Sequence, residues 1–344
     1  MVQLFGNRYT PQDLLRRLGD MSQLAGVQAF ELVDGSERGV RAVSLYNAAG
    51  LEMMVVPDRG MAVTRLSYRG VSLPLLSAVG TPHPAFAEPR GLGWLRTWPA
   101  GFLTPCGLAQ VGSPCLDGGE ELGLHGRVAQ IPARQVAWGA EWQADQYVLW
   151  VEGKVRETAV FGENLLLHRR IWTTLDSPTF WVEDRLENQG FSAAPHMFLQ
   201  HINLGFPLVD ETARLELPPH TTQPRDEEAR RGLDHCCEFS MPVPGYKEQV
   251  FYHDLQPNAA GQVEVRLVNP AFDGGRGLAV ALRYAKADYP IFVEWKMMGE
   301  GLYVVGLEPA NCHVGGRFQE RQSGTLPILA PQETRTYRLE VQLY

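Results

Sequence analysis

The chain has 344 residues, 44% hydrophobic and 20% charged, enough for one large domain or two ordinary ones around a substantial core. A formal net charge of −8 and a pI near 5.6 leave no basic field for phosphate, which argues against nucleic acid or an anionic membrane surface as a partner. No apolar run is long enough to span a bilayer and the charged N-terminus carries no export signal. The five cysteines lack CxxC spacing and indicate neither a disulfide framework nor a zinc cluster, so a cytoplasmic protein is expected.

Thr10-Pro11-Gln12-Asp13 reads as an N-cap, a proline at the first helical position and an acid in the first turn. It predicts a short surface helix packed by Leu14, Leu15, Leu18 and Met21, within an N-terminal helical extension over residues 1–26. From Val27 the texture changes to short apolar or alternating runs broken by Gly, Pro, Asn and Asp. They cover 40–46, 51–56, 61–68, 128–138, 147–155, 165–175, 179–186, 213–217, 263–267, 277–284, 291–295, 302–307 and 334–344. No helical patterns alternate with them, which excludes a parallel βαβ sheet. With 35 glycines, 24 prolines and no low-complexity linker, one all-β domain over 1–344 is expected, a large antiparallel sandwich. Residues 76–122 form a long loop-rich segment, of the kind that tends to carry function, and 221–231 read as an exposed loop.

Against this background a few polar groups stand out. In Gly301–Arg317, GLYVVGLEPANCHVGGR, a β-branched and aromatic run delivers Glu308 at its end, on the pleat face of Val304 and Gly306. A carboxylate in apolar surroundings is hard to keep ionised, so Glu308 fits a general base of tuned pKa or a structural carboxylate paired with one of the many arginines. Leu124-His125-Gly126-Arg127 suits an edge-of-sheet ligand site or a plain turn with a solvated arginine. His196 and His201, five apart, would face opposite sides of a strand and make a poor metal pair; one of them points into a site or both are structural. Asn203 and Gly205 add polar and open positions after His201. Arg59, in the turn PDRG, is a ligand donor or a hairpin charge. Asn311, His313, Arg317 and Lys296 are neighbours of Glu308 in the pattern, and Trp94 and Trp295 are core aromatics or flat faces for a sugar. Cys106 reads as a buried thiol, and no GxSxG, Walker, GxGxxG or HExxH motif occurs.

Taken in order, Leu124-His125-Gly126, His201-Ile-Asn203-Leu204, Leu307-Glu308-Pro309 and Leu329-Ala-Pro331-Gln-Glu333 resemble the aldose 1-epimerase (galactose mutarotase) superfamily. More narrowly, VVPDRGM, EPRGLGWLRTWPAGFLTPCGL, LGLHGR, QHINLGFPL and EWKMMGEGLYVVGLEPAN are similar to a divergent domain-of-unknown-function branch of it. The resemblance runs from about Val55 to the end. It implies a twisted antiparallel supersandwich of galactose mutarotase type and an isomerase that interconverts sugar anomers. By motif match Glu308 would be the base at the anomeric hydroxyl and His201 the acid at the ring oxygen, with His196 the runner-up acid. His125, Arg59, Arg127, Asn203, Lys296 and His313 would bind the sugar. No cofactor and no metal are implied; the partner is a small sugar, and a homodimer is left open. The sequence departs from the family in the shortened His201-Ile-Asn203 and in LHGR for LHGG, and the added Arg127 points toward an anionic sugar. Two other readings stay beside this one: a carbohydrate-binding sandwich without turnover, and a metal-dependent sugar isomerase using His196, His201, His313 and Glu308.

Overall fold

The alternating runs become strands of two large antiparallel sheets in the computed structural model, which describes residues 1–344. The eight-stranded sheet is centred on Gln146–Thr158, Asn164–Thr174, Thr179–Asn188 and the closing strand Thr334–Leu343. The eleven-stranded sheet carries, side by side, Gln249–Leu255, Ile291–Gly299, Leu302–Ala310, Met197–Gly205 and Leu103–Leu108, and continues through Ala62–Tyr68, Leu51–Val56, Arg41–Tyr46 and Gly26–Glu31. The sheets pack face to face because each strand alternates: Leu167, Ile171, Val182 and Val341 from one meet Phe198, Ile202, Leu204 and Leu307 from the other in one core cluster. The architecture is the all-β antiparallel sandwich that the motifs imply.

A buried polar network crosses this core and locks the register of Met197–Gly205. Arg169 donates to Asp184 at 2.7 Å and to Gln200 at 2.8 Å, and Gln200 donates to Asp184 at 2.6 Å and to the Tyr289 hydroxyl at 3.1 Å. A slip of one residue would turn His201 in place of Gln200 into the core between the sheets, so these bonds fix which face the histidine takes.

Some local expectations are corrected. The first 26 residues are mostly not helical: Val2–Leu4 pairs with Asn7–Tyr9 as a hairpin, and the helix is only Pro11–Leu15, held by the Thr10–Asp13 capping box. Val2, Leu4 and Leu14 pack into the main core, so the segment is part of the domain. The expected strand from Val128 begins instead as a 3-10 turn, Val128–Gln130, and the strand proper is Arg134–Gln143. The charged 221–231 stretch is an edge strand, His220–Pro224, followed by a helix, Glu227–Arg231, whose N-cap is Asp226.

Candidate active site

Four adjacent strands bring the site residues into one row. His201 pairs with Thr104 on one side. On the other, the register Leu199↔Ala310 and Ile202↔Leu307 sets His201 opposite Glu308, and Glu308 pairs with Val293 beyond. Odd-numbered residues of Met197–Gly205 face away from the sandwich core, where Met197, Leu199, Val250, Val293 and Ala310 form a second apolar cluster with Trp94 and Trp98. His196 falls on the other parity. Its Nε2 lies 2.6 Å from the Tyr337 hydroxyl, deep between the sheets and away from Glu308.

The loop-rich 76–122 segment roofs this row. The 3-10 turn Gly93–Arg96 presents Trp94 and is followed by Trp98; the two rings stack with centroids 4.9 Å apart. Trp98 lies 5.2 Å from the His201 ring and 5.8 Å from Trp295, and His125 lies 5.3 Å from His201. His125 has φ +57, and Gly126 follows at φ +74 in contact with Gly107. A Cβ at Gly126 would sit 2.5 Å from the Gly107 carbonyl oxygen, so the LHG turn needs its glycine to press against the strand Leu103–Leu108. A left-handed histidine at such a turn is the kind of backbone cost that collects at functional sites. Together these groups enclose a cavity of about 310 Å³, the size class of a small polar ligand. At its rim Arg225 donates to Glu248 at 3.1 Å, and Trp295 Nε1 donates to the same carboxylate at 2.9 Å.

The floor of the cavity is short of partners. His201 Nε2 and Glu308 Oε1 are 3.3 Å apart, with both side chains almost wholly buried. Glu308 Oε1, His201 Nδ1, His125 Nδ1 and Trp94 Nε1 have no protein hydrogen-bond partner. Gly306 makes room for the carboxyl: a Cβ there would lie 2.5 Å from Glu308 Oε1. Burial, with Glu248 adding to it, holds the Glu308 carboxyl well above the ordinary carboxylate range. Burial, with His125 adding to it, holds His201 well below the ordinary histidine value, and burial alone pushes His125 down to about 4. Ion pairing across 3.3 Å opposes these shifts, but the indole walls desolvate both groups and the contact lacks hydrogen-bond alignment, so the neutral pair is favoured. Carboxyl and imidazole then share a single proton, which makes one of them an acid and the other a base.

The other expected sugar ligands lie elsewhere. Arg59 is buried, donates to the Thr97 carbonyl at 2.7 Å and braces the roof loop; burial lowers its guanidinium to about 10. Arg127 turns toward Glu120 at 3.3 Å and Glu163 at 3.7 Å, outside the cavity. Asn203 donates to the carbonyls of Gly101 and His201, stiffening the histidine strand. Lys296 has the opposite parity to Trp295 and donates to the His235 and Glu238 carbonyls on the far face. His313 pairs with Glu320 at 3.0 Å and meets Tyr252 edge-on, while Arg317 is taken up by Asp117 and Glu120. None of these lines the cavity; His125, His201 and Glu308 do. Strand parity alone could have set Lys296 aside. Polar and aromatic lining residues not anticipated include Trp98, Ser113, Arg225 and Glu248, which come from loops, where no periodicity marks a direction.

The domain-of-unknown-function family DUF4432 matches residues 37–343. No curated protein matches the chain. Among solved structures, a candidate aldose 1-epimerase of Klebsiella pneumoniae superposes with a TM-score of 0.87 at 24% identity, covering 92% of this chain and 83% of that one. A galactose mutarotase-like protein of Clostridium acetobutylicum superposes at 0.64 with 12% identity over 94% and 99% of the two chains. A galactose 1-epimerase of Lactobacillus acidophilus does so at 0.53 with 12% identity over 93% and 99%. No helix is long and apolar enough to cross a membrane. A family match over almost the whole length, on a sandwich shared with these proteins, leads to one conclusion: the chain belongs to the DUF4432 family, a divergent branch of the galactose mutarotase-like fold.

Proposed function

We propose that the chain interconverts the anomers of a cyclic aldose by acid–base ring opening and closure. The observation that carries this reading is the buried, unpartnered His201–Glu308 pair at the floor of a tryptophan-walled cavity. A pair that holds one proton supplies both halves of the reaction. One member takes the proton of the anomeric hydroxyl while the other gives its proton to the ring oxygen. The C1–O5 bond breaks, the aldehyde end turns, and the reverse transfers close the other anomer with the pair's proton count unchanged. Glu308 as base with His201 as acid, and the converse, are two tautomers of the same device. The indole faces suit the C–H faces of a sugar, and the Arg225–Glu248 pair at the rim suits its hydroxyls. Arg127 lies outside the cavity and Arg225 is matched by Asp226 and Glu248, so a neutral aldose fits better than an anionic one. The test is anomer-exchange NMR over a panel of neutral and acidic sugars with wild type, His201→Asn and Glu308→Gln. Equal exchange by all three proteins would discard the assignment, and sugar binding without exchange in wild type would favour a binding protein.

A further inference from the structure

The far face of the Ile291–Gly299 strand holds a second group of chemically capable side chains. Glu294 and Lys296 point there, opposite in parity to Val293 and Trp295. The turn Leu233–His235 and the two residues after it close over this face, and Lys296 clamps the turn by donating to the carbonyls of His235 and Glu238 on either side of Cys236 and Cys237. The two sulfurs are 3.7 Å apart, and together with a Glu294 oxygen they all lie within 4.8 Å of one another. Glu294 is fully buried. Its Oε2 is 2.9 Å from His253 Nε2, whose Nδ1 is 2.9 Å from the Thr222 hydroxyl, and its Oε1 has no protein partner. Ala229 and Phe251 pack against the cysteines. Packing of two thiols as small apolar residues accounts for this shell and leaves the unpartnered Oε1 of the neighbouring buried glutamate unexplained.

The geometry points to a site for a thiophilic divalent cation of the zinc class, formed by the Cys236 and Cys237 sulfurs and Glu294 Oε1, with His253 holding the other carboxylate oxygen. Two thiolates on one tetrahedral ion, with metal–sulfur bonds of about 2.3 Å, lie roughly 3.8 Å apart, and the two sulfurs already have that spacing. The charges balance: binding expels two S–H protons as the doubly charged ion enters, while Lys296 continues to offset Glu294. Cys237 is only partly buried, so an ion can reach the sulfurs from solvent. No CxxC spacing announces such a site, because its carboxylate comes from a strand more than fifty residues away.

Cobalt(II) is the probe. Reduced, chelator-treated full-length protein should develop a sulfur-to-cobalt charge-transfer band that saturates at one ion per chain, releases two protons and is displaced by zinc. The band should vanish in Cys236→Ser and in Cys237→Ser. It should need about tenfold more cobalt in Glu294→Gln. It should be unchanged in Cys115→Ser, the remaining partly exposed cysteine. No band in wild type, or a band that survives in the Cys236→Ser/Cys237→Ser double variant, overturns the proposal. If the serine variants fail to fold, X-ray absorption of cobalt-loaded wild type decides: fewer than two sulfurs around the ion also overturns it.

Discussion

Two buried glutamate–histidine pairs lie on the same sheet, on opposite faces and a strand apart, and they differ in how far the protein satisfies them. Glu294 and His253 meet at 2.9 Å, and Thr222 completes the ring's second nitrogen. Glu308 and His201 meet at 3.3 Å, with His201 Nδ1 and Glu308 Oε1 both unpartnered. Leaving buried polar atoms unpaired costs about 1–3 kcal/mol each; the first pair carries that cost at Glu294 Oε1 alone, and the second at two atoms on the floor of the tryptophan-walled cavity. The difference teaches that residue type does not single out the pair proposed to react. Its unmet hydrogen-bonding capacity, facing a cavity, does.

The comparison breaks most sharply at Glu308. Glu308→Gln keeps the shape and removes the proton exchange, so anomer-exchange NMR should show catalysis reduced about 10²–10⁴-fold. His201→Asn should cost about 10²–10³-fold by the same measurement. His196→Phe, which removes the Tyr337 partner inside the core, should lower stability by about 1–3 kcal/mol in denaturant unfolding and leave exchange nearly intact. If His196→Phe abolished exchange in a folded protein while His201→Asn did not, the two histidines' roles would be reversed.

Smaller effects sharpen the same contrast. Gly306→Ala drives a methyl into Glu308 Oε1 and should slow exchange by about 10–100-fold through misplacement of the carboxyl. The pH profile of exchange should be a bell. The pair is active with one proton, so its acid limb falls below the ordinary histidine value, where His201 gains a second proton, and its alkaline limb lies above the ordinary carboxyl value, where Glu308 loses the only one. A single limb, with no loss at one end of the accessible range, would mean that only one member titrates in catalysis.

Glu157 offers a smaller, purely structural counterpart to Glu308. It is buried, accepts the Leu108 N–H at 2.7 Å and is pushed up to about 7 by burial. Between its ordinary value and about 7 the folded state holds a proton that the unfolded chain has lost, so stability falls as pH rises through that window and levels off above it. Glu157→Gln should remove this slope, worth about 3 kcal/mol at most. Denaturant melts of both proteins at pH 4.5 and 8 would reveal it; parallel curves would show that Glu157 does not titrate there.

Much of this could be read from the residue order. The apolar or alternating runs 165–175 and 179–186 and the continuous β-branched and aromatic run 302–307 marked the strands, and the run 51–56 matches its strand end for end. Parity placed Glu308 beside Gly306 and put His196 and His201 on opposite faces, since the side-chain period of a strand is two. The LHG, histidine-strand and Leu-Glu-Pro motifs in sequence order carried the fold. Tertiary structure alone decided the rest. It set His201 opposite Glu308 through the register of strands about a hundred residues apart in the chain, brought Trp98, Arg225 and Glu248 from separate loops to one cavity, and spent Arg59, Arg127, Lys296 and His313 on neighbours elsewhere. The physical reason is range: local backbone geometry dictates which way a side chain points, whereas what it meets there depends on long-range packing that no short stretch of sequence encodes.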